Sequence, residues 1–176
     1  MMFVDVSILG NNSIKIRGKG SSFVIDPKPK IPKVVSDAVI LLREKEDEEG
    51  ILRVLDHRVV IKGEGEYEIG GVRIVGTKTS GNFLYSLTID NMNVFIARTS
   101  ALSKIQEAGD YNILILNVDS DFKDTMITAF SKNAVILYGE KAPDVLRMFG
   151  EKITKSQKFS VSADKLPPET EVVILS

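Results

Sequence analysis

The densest group of side chains able to do chemistry lies in residues 43–50, Arg-Glu-Lys-Glu-Asp-Glu-Glu-Gly. Its carboxylates, Glu44, Glu46, Asp47, Glu48 and Glu49, are oxygen ligands of the kind that magnesium or calcium prefers. The spacing has neither the alternation nor the central glycine of an EF-hand, so the run reads as a solvated turn. His57 is the chain's one histidine. A histidine can be a general base or a metal ligand, but Leu55-Asp56-His57-Arg58 offers it no partner, which favours a structural or exposed role. With no cysteine, disulfides and thiolate metal sites are excluded.

Other motifs are weaker. Gly18-Lys19-Gly20 and Gly63-Glu64-Gly65 resemble phosphate loops only in composition. Neither leads into a helix or completes Gly-x-Gly-x-x-Gly, so both read as hairpin geometry. No Gly-x-Ser-x-Gly elbow is present. Lys28, Lys30 and Lys33 stand among Pro27, Pro29 and Pro32, a stiff basic stretch that reads as a connector rather than a phosphate contact.

The elements that must position these residues follow from periodicity. Residues 3–9 alternate, with Val4, Val6 and Ile8 on one face, and Ser13–Arg17 alternates around Ile14 and Ile16. Residues 22–26 return as a strand after the turn at Gly18-Lys19-Gly20, and 38–42 is a short apolar run suited to a buried strand. Residues 58–61, 66–69, 72–76, 83–89 and 94–98 continue the strand pattern, with Gly70-Gly71 as a two-residue hairpin turn. The second half brings strands at 113–116, 134–138 and 171–175. Between them the spacing predicts a helix carrying Phe122, Met126, Ala129 and Phe130, capped by Ser120 or Asp121 and stopped at Asn133. A helix starting near Pro143 buries Val145, Leu146 and Phe149 and ends at Gly150, and a shorter one covers 102–108 with Ser103 and Gln106 in capping-box spacing. A strand meander followed by alternating strands and helices implies a mixed, layered α/β domain.

At 176 residues, with 43% hydrophobic and 27% charged side chains, the chain reads as one domain, residues 1–176. A net charge of −1 provides no field favouring nucleic acid or an anionic membrane. No apolar run approaches the roughly 20 residues of a membrane span, and the N-terminus does not read as a signal peptide. These features lead us to expect a cytoplasmic protein.

The order of elements, together with Val24-Ile25-Asp26-Pro27, Ser36-Asp37-Ala38-Val39-Ile40-Leu41 and the run from Gly63 to Gly76, resembles the metallo-β-lactamase superfamily, in particular small zinc-dependent hydrolases similar to ascorbate-phosphate lactonases. The resemblance implies a four-layer αββα sandwich, here shortened, with its site at the sheet ends. It also implies a His-x-His-x-Asp-His motif directly after 38–42. This chain has Arg43 and Lys45 at the first two histidine positions, keeps Asp47, and has Glu48 at the third. The histidine expected near residues 79–82 is missing, the bridging aspartate falls at about Ala101, the last histidine at about Gly139, and Asn11 follows Leu9-Gly10 where a histidine is usual.

A catalytic zinc needs about three protein ligands and lowers the pKa of its water to about 7. Arginine and lysine at the leading positions repel a dication instead. The resemblance therefore implies a degenerate member with no metal and no cofactor, whose partner is unknown. A homo-oligomer through exposed strands, or a protein partner, suits the short 50–57 segment, which leaves little room for pocket-forming loops. An ion-pair network of Arg43 and Lys45 with Asp47 and Glu48 is expected to fill the former site. The alternative is a hydrolase that uses carboxylates, Asn11 and Lys45 with another ion or with none.

Overall fold

The computed structural model describes residues 2–102, 109–149 and 152–176. The first third supplies β1 (Val4–Gly10), β2 (Ser13–Arg17), β3 (Ser22–Ile25), the two-residue β4 (Val34–Val35) and β5 (Ala38–Ile40). After a 3-10 turn over Glu49–Arg53 come β6 (Val54–Leu55) and β7 (Val59–Ile61). A meander of β8 (Gly65–Ile69), β9 (Val72–Thr79), β10 (Asn82–Ile89) and β11 (Met92–Arg98) follows. Then come α1 (Thr99–Leu102), β12 (Ile113–Asn117), β13 (Ala134–Tyr138), α2 (Leu146–Phe149), β14 (Ile153–Ser156), β15 (Lys158–Val161) and β16 (Glu171–Leu175).

The strands form a six-stranded sheet, ordered β15-β1-β2-β3-β5-β7, an eight-stranded sheet, ordered β14-β16-β13-β12-β11-β10-β9-β8, and a two-stranded pair, β4-β6. The alternation read from the sequence explains their packing. Val4, Val6, Ile14, Ile16, Phe23, Ile25 and Ile40 of one sheet meet Ile74, Leu87, Val94, Ile96, Ile115 and Ile136 of the other in a single core. The opposite face of the eight-stranded sheet (Phe95, Leu114, Leu116, Leu137) is covered by Leu102, Phe122, Ile127, Phe130 and Val145. The opposite face of the six-stranded sheet (Val24, Val39, Leu41) is covered by Ile31 and Val54. The two β layers of an αββα sandwich are thus complete, and the outer layers are thin: among the described residues the α-helices are single turns.

The Gly70-Gly71 hairpin turn has φ of 55° and 80°, which glycine adopts without a Cβ penalty. The helix expected over Phe122–Phe130 is not formed; the segment is a strap with one 3-10 turn, Asp124–Met126. Its buried residues are Phe122, Ile127 and Phe130, while Ala129 is exposed, so the apolar positions do not share a helical face. The expected cap is engaged elsewhere, since the Ser120 hydroxyl hydrogen-bonds that of Thr99 at 2.9 Å. Lys132 Nζ donates to the Ile127 and Phe130 carbonyls at 2.9 and 3.0 Å, further binding the strap in its irregular form. Asn133 is not in the left-handed region; its carboxamide donates to the Pro167 carbonyl at 3.1 Å. The helix expected from Pro143 is found as a 3-10 turn over Ala142–Val145 running into the single turn of α2, with Val145 buried and Leu146 half-buried. The expected helix at 102–108 falls, after Leu102, outside the described residues, as does its end signal Gly150. β14 and β15 were not foreseen. They flank Gln157, where the chain passes from one sheet to the other.

Candidate functional site

The ends of β3, β5, β11 and β12 converge at one rim of the sandwich, and a buried guanidinium sits there. Arg98, the last residue of β11, has a side chain only 6% exposed. Its Nη2 donates to Asp26 Oδ2 at 2.8 Å and to Glu46 Oε2 at 3.1 Å, and Nη1 lies 3.8 Å from Asp119 Oδ2.

Each carboxylate is held by its own element. Asp26 follows β3 with φ of 47°, a left-handed conformation that aspartate tolerates better than most residues. Its N–H donates to the Ile40 carbonyl, its carbonyl accepts the Ser13 hydroxyl, and its Oδ1 accepts the Leu42 N–H at 3.0 Å. Glu46 comes from the loop after β5, which reaches across to the β9–β10 turn: Glu44 N–H donates to the Gly81 carbonyl, and Phe83 N–H to the Leu42 carbonyl. The Glu46 side chain is 2% exposed and also pairs with Lys28 and with Arg43, the latter at 3.2 Å. Asp119 follows β12 and accepts the Ser100 N–H at 2.9 Å and the hydroxyls of Ser100 and Thr99 at 2.7 and 3.1 Å.

Burial acts against the charge on Arg98, but Asp26 and Glu46 more than offset it and hold the guanidinium above its ordinary pKa. Burial also pushes the Asp26 carboxyl upward, against the pull of Arg98. Glu46 is desolvated too, yet Lys28, Arg43 and Arg98 hold it below its usual value. The two carboxylates thus act oppositely on stability. Asp26, raised in the folded state, adds stability as pH falls from above its folded pKa towards the ordinary carboxylate range near about 4. Glu46, lowered, contributes stability that is present above that range and is lost as pH falls through its folded pKa. Urea unfolding across acidic pH is therefore expected to show a gain on first acidification and then a loss. Asp26→Asn is expected to abolish the gain and keep the loss; an unchanged profile would contradict the assignment.

Of the positions at which the resemblance implies metal ligands, Arg43 alone belongs to this network, and it pairs with Glu46 rather than Asp47. The expected network of Arg43 and Lys45 with Asp47 and Glu48 is not formed. Lys45 is exposed, Asp47 accepts the Glu49 N–H at 2.9 Å, and Glu48 pairs with Lys62 at 3.0 Å. Ala101 is fully buried in the cluster behind the eight-stranded sheet. Gly139 has φ of 109°, and a Cβ there would lie 3.2 Å from Asn117 Oδ1 and from Val118 backbone atoms, so a longer side chain is disfavoured. Asn11 and Gly139 line one cavity of about 230 Å³. Arg98 opens onto an adjoining one, also about 230 Å³, with Asn12, Lys28, Arg43, Asp119, Glu140 and Lys141. His57 is structural: its Nδ1 lies 2.7 Å from the Val54 carbonyl oxygen. Lys28, read as part of a connector, instead meets Glu46.

The sequence reading missed Arg98 and Asp119, and it took Glu46 as one of a solvated run although its side chain is buried and paired. Asp26 carried a signal, because it lies in Ile-Asp-Pro. The donor set does not suit a transition metal. No three His, Cys, Asp or Glu side chains among the described residues are disposed to hold one, and the carboxylates that do converge surround a fixed cation.

Residues 5–126 match the family model of the beta-lactamase superfamily domain. No curated protein matches the chain in sequence. Among solved structures, the chain is similar to a Thermotoga maritima protein assigned as a Zn-dependent hydrolase of the metallo-β-lactamase superfamily, at 17% identity and a TM-score of 0.73 over 98% of both chains. It is also similar to a Parabacteroides distasonis protein assigned as a metal-dependent hydrolase, at 14% identity and a TM-score of 0.61, over 98% of this chain and 94% of that one. A diphosphatase of the PhnP family matches at 9% identity and a TM-score of 0.58, over 92% and 98% of the two chains. At such identities the likeness is one of fold.

Proposed function

Because the chain belongs to the metallo-β-lactamase superfamily, whose hydrolytic chemistry resides in ligands rather than in the fold, we propose that it is a metal-free, non-catalytic member with a binding, assembly or regulatory role, acting as one domain over residues 1–176 in the cytoplasm. The observation that carries this reading is the Arg98 guanidinium at the convergence of the strand ends, bonded to Asp26 and Glu46. A fixed cation there repels a dication and pairs with the carboxylates nearest to it. A hydrolase built on a carboxylate-rich ion site would need these same groups.

Two further features support a binding role. The cavity beside Arg98 has Lys28, Arg43 and Lys141 on its wall. Val35, Leu52, Leu55 and Val60 are exposed on the six-stranded side, and Leu52 is 81% exposed, which offers apolar area to a protein partner or a second copy. No helix among the described residues is long and apolar enough to cross a membrane.

Elemental analysis of untagged protein purified from cells tests the reading. Zinc, manganese and iron are expected well below one equivalent per chain. One equivalent of any of them, retained through dialysis, would refute it.

A further inference from the structure

The carboxylates around Arg98 come from both halves of the sandwich. Asp26 and Glu46 belong to the six-stranded side, and Arg98 and Asp119 to the eight-stranded side. The two short contacts both go to Nη2, and the third carboxylate lies beyond Nη1. Nε has no partner, so the carboxylates are spread around the two terminal nitrogens of a guanidinium and do not close on one point. This spacing does not fit a metal ion, for which no three of these groups are suitably placed. The cluster also keeps its order without Arg98's help at several points: Asp26 holds the Leu42 N–H, Asp119 holds Ser100 and Thr99, and Glu46 holds Lys28 and Arg43. Removal of the Arg98 side chain would leave a pocket whose walls are set by other bonds.

From this arrangement we infer that the centre is a binding site for a guanidinium group, occupied by the chain's own Arg98, which joins the two sheets as a tethered cation. The inference rests on the metal-free reading above and adds the ligand class: planar, delocalised, monovalent cations rather than metal ions. It has a consequence that a purely steric role for Arg98 lacks. With the side chain shortened, a free molecule with the same head group can enter and restore what was lost, as mass action on the folded state requires.

The experiment measures the thermal unfolding midpoint of the full-length Arg98→Ala protein with methylguanidinium, at concentrations far below those that denature proteins. Urea, planar and similar in size but neutral, is the control. The midpoint of the variant is expected to rise saturably by several degrees with methylguanidinium and not with urea, whereas the wild-type protein gains nothing from either. No rise, or an equal rise with urea, would overturn the inference. If Arg98→Ala does not fold, Arg98→Met is compared with the triple variant Arg98→Met, Asp26→Asn, Glu46→Gln. Recovery of folded protein in the triple variant is expected, because removing the carboxylate charges removes the need for a cation; continued failure would assign Arg98 a role of shape and overturn the inference. Metal bound to the wild-type protein would defeat the earlier reading, whereas a metal-free wild type with an unrescued variant would defeat this one alone.

Discussion

Arg98→Met is expected to lower the free energy of unfolding by about 3–5 kcal/mol, the range seen when one partner of a buried ion pair is removed and the other stays behind. Methionine retains the length and most of the apolar stem, so the loss would reflect charge and hydrogen bonding rather than an empty volume. Asp26 is fully buried and would lose its cation, keeping only the Leu42 N–H, and would resolve the conflict by taking up a proton. Glu46 would keep Lys28 and Arg43 and suffer less. Urea unfolding at neutral pH provides the measurement. The exposed Arg73–Glu66 pair serves as an internal reference, because the same treatment of Arg73 should cost no more than about 1 kcal/mol. Equal, small losses at the two arginines would mean that the Arg98 cluster is solvated and does not organise the rim.

The second large effect is expected at Gly50, which is buried in the 3-10 turn over Glu49–Arg53. Its φ is not positive, so its demand for glycine comes from space. A Cβ on Gly50 would lie 1.9 Å from the Pro27 carbonyl oxygen and 2.6 Å from the Lys28 nitrogen. These are backbone atoms, and relief requires displacing the segment that carries Asp26 and Lys28. Overpacking of this kind typically costs 1–3 kcal/mol, and a backbone collision belongs at the upper end, so Gly50→Ala is expected to cost about 3 kcal/mol. Thermal and urea unfolding would both register it. A loss below about 0.5 kcal/mol, the level of an ordinary surface change, would mean that the turn does not rest on residues 27 and 28.

The strands were legible because each sheet has a core face, and a core face imposes alternation: Val4, Val6, Ile14 and Ile16 could be assigned to the interior from spacing alone. The outer cover was less legible. Phe122, Ile127 and Phe130 are buried, but they pack as a strap over a sheet, and a helical spacing that included Ala129 was a coincidence of composition. The site was read in part. The resemblance pointed to the end of the strand at 38–42, and Arg43 is indeed at the rim, but the centre of the cluster is Arg98. Nothing local marks an arginine that closes an apolar strand as the partner of an aspartate 72 positions away or a glutamate 52 positions away. Glu46 was concealed differently. One member of a charged run is buried while its neighbours face water, and only the crossing of the loop towards Gly81 and Phe83 selects it.

The passage of the chain from β14 through Gln157 to β15 determines the order in which the molecule can assemble. β15 pairs with β1, and the Ser160 hydroxyl bonds to Asp5 across 155 positions of sequence, while in the other sheet β16 pairs with β13 and β14 with β16. β1 therefore waits for a strand made only after most of the strands of both sheets. Pairings of such long range are slow to form, because a large loop must close before any contact rewards it. During synthesis β1 keeps an unsatisfied edge until β15 has emerged, and such an edge on a nascent chain calls for chaperone protection.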